Sequence, residues 1–314
     1  MVQGKRVVQL MGTIIELTIE HDAPEPVLDE LVTRLKMYEH RFSANDPSSE
    51  LMQVNRQSGI KPVVVHPELY ELIQLGKAHS QAAGSQLNIA IGPLVQTWRI
   101  GFEDARIPSE TELLAKLLLT NPDHILLDEA NHSVFLTQPG MAIDLGSLAK
   151  GYIADRLLDY LQGVGAYSGL LNLGGNLVVF GPSAHPHGLW RIGIRDPQGD
   201  RESYRLVLST PATSVVTSGI YERELVSHQK RYHHLIDRQT GHPLTTELAS
   251  LTILSQKSVD GEIWTTRLFG KEPSEIWLFV KSCWWRQIVI KISRRCGVLC
   301  APHLFLVLKD QSLL

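Results

Sequence analysis

An acidic residue, a glycine turn and a lysine follow one another within residues 142–152, and together they indicate a phosphate-handling site. The apolar run that stops at Asp144 predicts a strand, while Gly146 and Ser147 predict the turn that opens a helix. The first N–H groups of a helix have no partner inside it and attract anions. Lys150 adds a positive charge one turn later. Taken alone, the segment favours the simpler alternative, an ordinary strand-to-helix turn.

A second candidate site lies in the predicted helix over residues 259–270. Glu262 and Thr266 are four residues apart, so a carboxylate and a hydroxyl share one face of that helix. Oxygen ligands of this kind suit Mg²⁺, with water and a substrate phosphate completing the shell. An exposed Glu–Thr pair without any function remains the commoner explanation of this spacing by itself.

A third segment supplies hydroxyls and a base. Thr217, Ser218 and Gly219 follow a β-branched run and predict a loop that presents hydroxyls and backbone to a ligand, although a plain turn fits equally well. His234, on a predicted short strand, is the natural residue type to activate a hydroxyl near neutral pH. The adjacent His233 leaves the assignment open, and most histidines in strands are structural.

Composition narrows the class of protein. The chain has 314 residues, 43% hydrophobic and 20% charged, with a net charge of −3, which predicts one globular unit without the basic surface of a nucleic-acid-binding protein. No cysteine precedes Cys283, so a disulfide framework is not expected there. The N-terminus has no export-signal pattern and no 18-residue apolar run occurs, so we expect a cytoplasmic protein without a transmembrane segment.

Periodicity and capping signals predict the elements that hold these residues. Helices are predicted over residues 26–42, 46–55 and 67–83, and after the capping box Ser109–Glu112. Strands are predicted over residues 7–19, 190–194, 204–208 and 248–254. A hairpin is predicted from residues 125–127 and 134–136, and a strand pair interrupted at Gly174-Gly175 is predicted over residues 170–180. Because no repeating βαβ period occurs, we expect a mixed, mainly antiparallel α+β fold and not a doubly wound parallel sheet.

The last 34 residues differ in character, so we divide the chain into residues 1–280 and an atypical tail, residues 281–314. The tail holds all three cysteines, and Cys296 and Cys300 with His303 allow a metal site, although the spacing lacks the double pair of a zinc motif. Native divergence and a reading-frame change near Lys281 both explain such a tail.

Several short motifs recur in the order of one known family. They are Met11-Gly12-Thr13, Phe42-Ser43 with Ser49-Glu50-Leu51 and Asn55, Gly92-Pro93-Leu94 with Trp98, Asp144-Leu145-Gly146 with Lys150-Gly151, Asn172 to Asn176, Thr217-Ser218-Gly219, His234 to Asp237 with Thr240-Gly241, and the helix of Glu262 and Thr266. In this order they resemble the ApbE family, the FAD:protein FMN transferases, from about residue 11 to residue 270.

The resemblance implies a function. An ApbE-like enzyme binds FAD and Mg²⁺, transfers the FMN part to a Ser or Thr of an acceptor flavoprotein through a phosphoester, and releases AMP. This protein flavinylation is a post-translational modification. The implied fold is a single large α+β domain of mixed, mainly antiparallel sheets flanked by helices, with the flavin site between two sub-lobes. Two alternatives are FAD hydrolysis to FMN and AMP, and flavin binding without turnover.

The resemblance also implies roles for particular residues. His234 is the candidate general base. Metal ligands would be Glu262, Thr266 and the backbone carbonyl of Ser147, with Asp260 as an alternative ligand. Flavin or cofactor contacts would come from Met11, Asn88, Ile89, Ala90, Asp144, Lys150, Ser218, Gly219 and Ile236.

The chain departs from the family pattern in three places. Glu262 stands where the family usually has aspartate, which changes where an ion of strict octahedral geometry can lie. Asn88 stands where many members carry aspartate, and the tail lacks the final strand with an acid-glycine turn that usually ends the family.

Overall fold

The order of helices and strands was obtained from a computed structural model, which describes residues 1–197, 199–200, 203–227, 229–272 and 274–276, and the backbone of residues 288–293 and 305–307. The α-helices are α1 (Pro24–Phe42), α2 (Glu50–Arg56), α3 (Pro67–Gln81), α4 (Gly92–Trp98), α5 (Glu110–Leu117), α6 (Ala149–Gly163) and α7 (Ser258–Leu268). The strands are β1 (Val2–Leu10), β2 (Thr13–His21), β3 (Val63–Val64), β4 (Ile125–Asp128), β5 (Ser133–Leu136), β6 (Ser168–Leu173), β7 (Asn176–Phe180), β8 (Trp190–Arg195), β9 (Tyr204–Thr210), β10 (Thr213–Gly219), β11 (Glu224–Ser227), β12 (Lys230–His233), β13 (Leu248–Ser255), β14 (Ile288–Ser293) and β15 (Phe305–Val307).

One large antiparallel sheet organises the fold, in the strand order β1-β2-β6-β7-β10-β13-β14-β15. Smaller sheets are β3-β5-β4, β8-β9 and β11-β12. The mainly antiparallel α+β fold expected from the sequence is therefore confirmed. Two strands within the tail, β14 and β15, extend the edge of the large sheet beyond β13.

The core forms where helices cover this sheet. Strand β2 buries Ile15, Leu17 and Ile19, because alternate residues of a strand face the same side. Helices α1 and α6 bury apolar stripes in the same cluster. Helix α7 packs on β10, where a Cβ built on Gly261 would lie 2.6 Å from Val216 Cγ2. The core thus fixes α6 and α7 relative to β7 and β10.

Most predicted elements are confirmed, including α1, α3, α5 and the pairs β4-β5 and β6-β7. The single strand predicted over residues 7–19 is wrong, because a two-residue turn divides it into β1 and β2. Met11 has φ 53° and Gly12 has φ +68°, the left-handed conformations of a tight hairpin turn. The helix predicted from Asp46 begins instead at Glu50, with Ser49 as its N-cap.

Two predictions about site segments are also wrong. The residues before Asp144 form no strand, because their backbone groups bond elsewhere: Ile143 exchanges two hydrogen bonds with the Asn55 side chain, and Asp144 N donates to Ile89 O at 2.9 Å. Thr217, Ser218 and Gly219 lie in strand β10 and not in a loop, since they pair with Thr252, Leu251 and Ser250 of β13.

In the part of the chain that the structure describes, no helix is long and apolar enough to cross a membrane.

Candidate functional site

Helices α6 and α7 approach each other closely at Gly151. A Cβ built on Gly151 would lie 2.7 Å from the backbone O of Ser258 and 2.8 Å from Glu262 Cγ, so glycine is what lets the helices meet here. Lys150 and Asp155 flank this contact on α6. Residues far apart in sequence are thereby brought to one place.

Asp155 holds the N-terminus of α7. Its two carboxylate oxygens accept hydrogen bonds from the backbone N–H groups of Ser258 at 2.7 Å and Val259 at 3.0 Å. The N-cap residue Lys257 provides no side-chain hydrogen bond, so Asp155 caps the helix from a neighbouring element. Burial raises the pKa of Asp155 to about 6, although the two N–H donors oppose that shift. This contact fixes the start of the helix that carries Glu262.

Glu262 lies at the centre of a polar network. Its side chain is 6% exposed, and Oε1 accepts hydrogen bonds from Lys150 Nζ and Asn176 Nδ2, both at 3.0 Å. Asn176 Oδ1 in turn accepts from Ser258 Oγ. Among the described residues no donor contacts Oε2 of Glu262. The network therefore orients the carboxylate through one oxygen and leaves the other available.

The close approach at Gly151 leads to a stability prediction. Gly151→Ala should lower the free energy of unfolding by about 1–3 kcal/mol, because its methyl group would press on the Ser258 backbone and on Glu262. Urea unfolding would measure the change. Gly163→Ala is the matched control in the same helix, since a Cβ there meets nothing within 4 Å and should be neutral or stabilising. Equal effects of the two substitutions would contradict the close packing.

The turn before α6 contains Asp144, Gly146 and Ser147. Gly146 N donates to Asp144 Oδ1 at 2.8 Å, so this N–H is used within the turn. Burial raises the pKa of Asp144 above its ordinary value, while the Gly146 N–H and the positive charge of Arg223 lower it. Ser147 is half-buried in the same turn. The turn thus places a carboxylate within the electrostatic reach of Arg223.

His234 lies one residue beyond the end of β12 and not within the predicted strand, and it is within the electrostatic reach of Arg223 and Lys150. Its backbone N and its Nδ1 lie 3.3 Å and 3.4 Å from the carbonyl O of Arg223. Because a carbonyl only accepts, this contact places the proton on Nδ1 and leaves the Nε2 lone pair available. Burial is the main cause that lowers the pKa of His234 to about 4, and the positive charges of Arg223 and Lys150 contribute to the same shift. His234 is therefore a neutral imidazole at neutral pH.

The predicted cofactor residues are divided between this site and the interior. Met11 lies in the β1-β2 turn, where its N donates to Glu39 Oε1 at 2.6 Å and the next residue, Gly12, adjoins Arg223. Asn88 is buried, accepts from Ala90 N and donates to Thr120 O at 2.8 Å. The side chains of Ile89, Ala90 and Ile236 are also buried. A flavin contact from these four remains a prediction and would have to involve backbone groups or rearrangement.

The remaining predicted residues lie on helix α7 and at the end of strand β10. Thr266 is half-buried one turn after Glu262 on α7, while Ser218 and Gly219 end strand β10 next to β13. Gly219 packs against Tyr221, since a Cβ there would lie 2.8 Å from the ring. Asp260 is partly buried in the first turn of α7, and burial raises its pKa above its ordinary value.

Three residues of the site have no role in the sequence prediction. Asn176 and Asp155 support Glu262, and Arg223 contacts His234. Asn176 belongs to a motif that the sequence displays, Asp155 lies on the buried face of a predicted helix, and Arg223 follows the Thr217 segment. The residue types and the surrounding motifs could have marked these three residues as candidates. The sequence does not show which residues they contact.

The predicted metal ligands are of the chemical type that Mg²⁺ prefers. A carboxylate from Glu262, a hydroxyl from Thr266 and a backbone carbonyl from Ser147 would all offer oxygen. Within the described residues, no group of three or more His, Cys, Asp and Glu side chains could hold a metal by itself. An ion here would need water and substrate phosphate oxygens, which is the usual arrangement for Mg²⁺ at phosphates.

The chain is similar in sequence to proteins of one known family. The model of the ApbE family matches residues 11–286. The chain is 44% identical over 262 residues to an FAD:protein FMN transferase of Klebsiella pneumoniae (strain 342), covering 83% of this chain and 80% of that protein. It is 36% identical to the FAD:protein FMN transferase of Treponema pallidum (strain Nichols), covering 84% and 78%.

Solved structures agree in fold. The ApbE protein of Thermotoga maritima superposes with a TM-score of 0.84 at 26% identity, covering 92% of this chain and 94% of that chain. The flavin transferase ApbE of Vibrio cholerae has a TM-score of 0.82 at 22% identity, with 97% of each chain covered, a likeness that shows the fold alone.

Proposed function

This chain belongs to the ApbE family, and from that premise we propose that it transfers the FMN part of FAD to a Ser or Thr hydroxyl of an acceptor protein and releases AMP. The observation that carries the proposal is a neutral histidine, His234, within the electrostatic reach of Lys150, which pairs with the buried carboxylate of Glu262. Phosphoryl transfer requires a base for the attacking hydroxyl and positive charge near the phosphates. The site offers both.

The proposed reaction is a substitution at the FMN phosphorus of FAD. The acceptor hydroxyl oxygen bonds to that phosphorus, the bond from phosphorus to the bridging oxygen breaks, and AMP leaves with the bridging oxygen. The hydroxyl proton passes to Nε2 of His234, whose Nδ1 proton is held by the Arg223 carbonyl. Because the acceptor replaces water, exclusion of water from the site decides between transfer and hydrolysis.

Lys150 and Glu262 are placed to act on the negative charge of the phosphates, Lys150 directly and Glu262 through a metal ion. Lys150 lies 3.0 Å from Glu262 Oε1 and is 30% exposed, so its ammonium can also approach a phosphate oxygen. We propose that Mg²⁺ is held by Glu262, Thr266 and the Ser147 carbonyl. When bound, the ion neutralises phosphate charge and stabilises the leaving oxygen. Asp155 and Asn176 keep the Glu262 carboxylate in place for that purpose.

The experiment that tests the function follows two products at once. Purified protein is incubated with FAD, Mg²⁺ and an acceptor domain that carries a flavinylation-type Thr, while AMP and acceptor mass are measured. We expect AMP together with an FMN adduct, and no adduct on an acceptor with Thr replaced by Val. AMP without adduct would indicate a hydrolase, and bound FAD without AMP would indicate a flavin-binding protein; both would contradict the transferase.

The low pKa of His234 predicts an unusual pH dependence. A base must be unprotonated, and the free protein holds the pKa of His234 at about 4, so kcat/KM for AMP release should stay flat from pH 8 down to about 5. The negative diphosphate opposes the charges of Lys150 and Arg223, so kcat should begin to fall at a higher pH than kcat/KM. A fall in kcat/KM centred near pH 6.5, with circular dichroism unchanged, would contradict this.

The acceptor and the location remain part of the proposal. The acceptor is a separate flavoprotein with a Ser or Thr in a flavinylation motif. Cytoplasmic location, expected from the sequence, also stays a prediction that fractionation of cells making the protein would test.

A further inference from the structure

Arg223 contacts the site but is not among the residues assigned above to substrate or metal. It precedes β11, and its carbonyl accepts the hydrogen bonds of His234. Its backbone therefore has a structural role, whereas the role of its charged side chain is unassigned.

Two glycines define the path of that side chain. A Cβ built on Gly101 would lie 2.7 Å from Arg223 Cδ, and one built on Gly12 would lie 3.3 Å from Arg223 Nη2. Both glycines have positive φ, +93° and +68°, so another residue there would be strained as well as crowded. The aliphatic part of Arg223 thus passes Gly101, and its guanidinium ends beside the β1-β2 turn.

The guanidinium lacks a carboxylate partner among the described residues. No acidic oxygen lies within 4.0 Å of it there, whereas Arg6, Arg41 and Arg231, for example, each form an ion pair. Its charge nevertheless acts on Asp144 and His234, which places it in the site. An arginine has five N–H donors in a planar fork that matches phosphate oxygens. An exposed guanidinium that lies beside a base and has no ion-pair partner among the described residues is suited to bind an anion.

We propose that Arg223 is a phosphate-binding residue of this protein, acting in addition to Lys150 on the diphosphate of the dinucleotide. The proposal rests on the proposed function, which supplies the diphosphate. Glycine at positions 12 and 101 keeps the guanidinium beside the β1-β2 turn, and the Arg223 carbonyl sets the His234 tautomer. One residue thereby links substrate charge to the base: a bound diphosphate compensates the guanidinium and makes His234 easier to protonate.

Binding of three ligands tests the proposal without any turnover. FAD and ADP contain a diphosphate, and riboflavin has the same flavin ring without phosphate. Arg223→Gln should weaken FAD and ADP binding by about 10- to 100-fold, the range for loss of charge-assisted hydrogen bonds, and leave riboflavin unchanged. Arg223→Lys should restore part of the loss, because it keeps the charge without the fork. Inorganic phosphate as a competitor tests whether free phosphate uses the same contact.

The control is Arg231→Gln, since Arg231 is 73% exposed and pairs with Glu224 on the neighbouring strand. It should bind all three ligands as the unmodified protein does. A second readout is the acid limb of kcat/KM, which should move to higher pH in Arg223→Gln because one positive charge near His234 is lost.

Two outcomes would overturn the inference: unchanged FAD and ADP binding in Arg223→Gln, or an equal loss of riboflavin, which would mean a purely structural role. Wild-type protein that binds FAD and releases no AMP would contradict the proposed function alone. Wild-type protein that binds neither FAD nor ADP would contradict both.

Discussion

Replacing His234 with alanine is expected to lower the rate of FMN transfer by about 100- to 10,000-fold, the range for loss of a general base. The acceptor hydroxyl would then have no base at the site, while the Lys150–Glu262 pair would be intact. FAD affinity should change little, so the loss should appear in kcat and not in KM. Single-turnover measurement of AMP release and acceptor mass would separate these quantities.

The matched control is His242→Ala. His242 is also a histidine of this segment, yet it is partly exposed and pairs with Glu110 at 3.2 Å. It should leave the rate within about twofold of the unmodified protein. If His234→Ala kept its rate, or lost rate and folding together, the assignment of His234 as base would fail.

Glu262→Gln is expected to have the second large effect. The substitution keeps the size of the side chain but removes the negative charge that faces Lys150, and it removes the carboxylate proposed to bind Mg²⁺. Metal catalysis supplies several kcal/mol in comparable reactions, and each 1.36 kcal/mol is tenfold in rate, so we expect a loss of about 100-fold or more. Mg²⁺ binding measured by calorimetry with ADP present should weaken in parallel.

Glu262→Asp provides the informative comparison. The resemblance to the family implies aspartate at this position, so the shorter acid should retain metal binding, although its oxygen would move away from Asn176. Glu275→Gln, an exposed acid paired with Lys271, should leave both activity and metal binding unchanged. Normal Mg²⁺ binding and a normal rate of FMN transfer in Glu262→Gln would exclude Glu262 as the metal ligand. Asp260, the alternative ligand, would then be the residue to test.

Local structure was predictable wherever short-range patterns decide it. Helix α5 begins at the capping box, with Ser109 Oγ accepting from Glu112 N at 3.3 Å, and α1 follows its apolar periodicity. The strand predicted before Asp144 failed because its backbone groups found distant partners. The Asn55 side chain bonds to the backbone N and O of Ile143, which would bond to a neighbouring strand in a sheet. The sequence near residue 143 contains no signal that predicts this contact.

The candidate site shows the same division. Residue types and motif order pointed to His234, Lys150, Glu262 and the chemistry of a flavin diphosphate. They did not reveal that Asn88 is committed to Ala90 N and Thr120 O, or that Asp155 caps another helix. A side chain's hydrogen-bond partner depends on which elements pack together, and sequence spacing does not record that.

The sequence by itself therefore determined the kinds of elements, the family and the functional groups available, because periodicity, capping and motif order are local properties. Only the tertiary structure decided how those groups meet. Lys150 and Glu262 are 112 positions apart, and Asn176 and Glu262 are 86 apart. Their contact exists because Gly151 lets α6 and α7 approach and because α7 packs on β10. The neutral state of His234 likewise follows from burial and from two cations that only the fold brings near it.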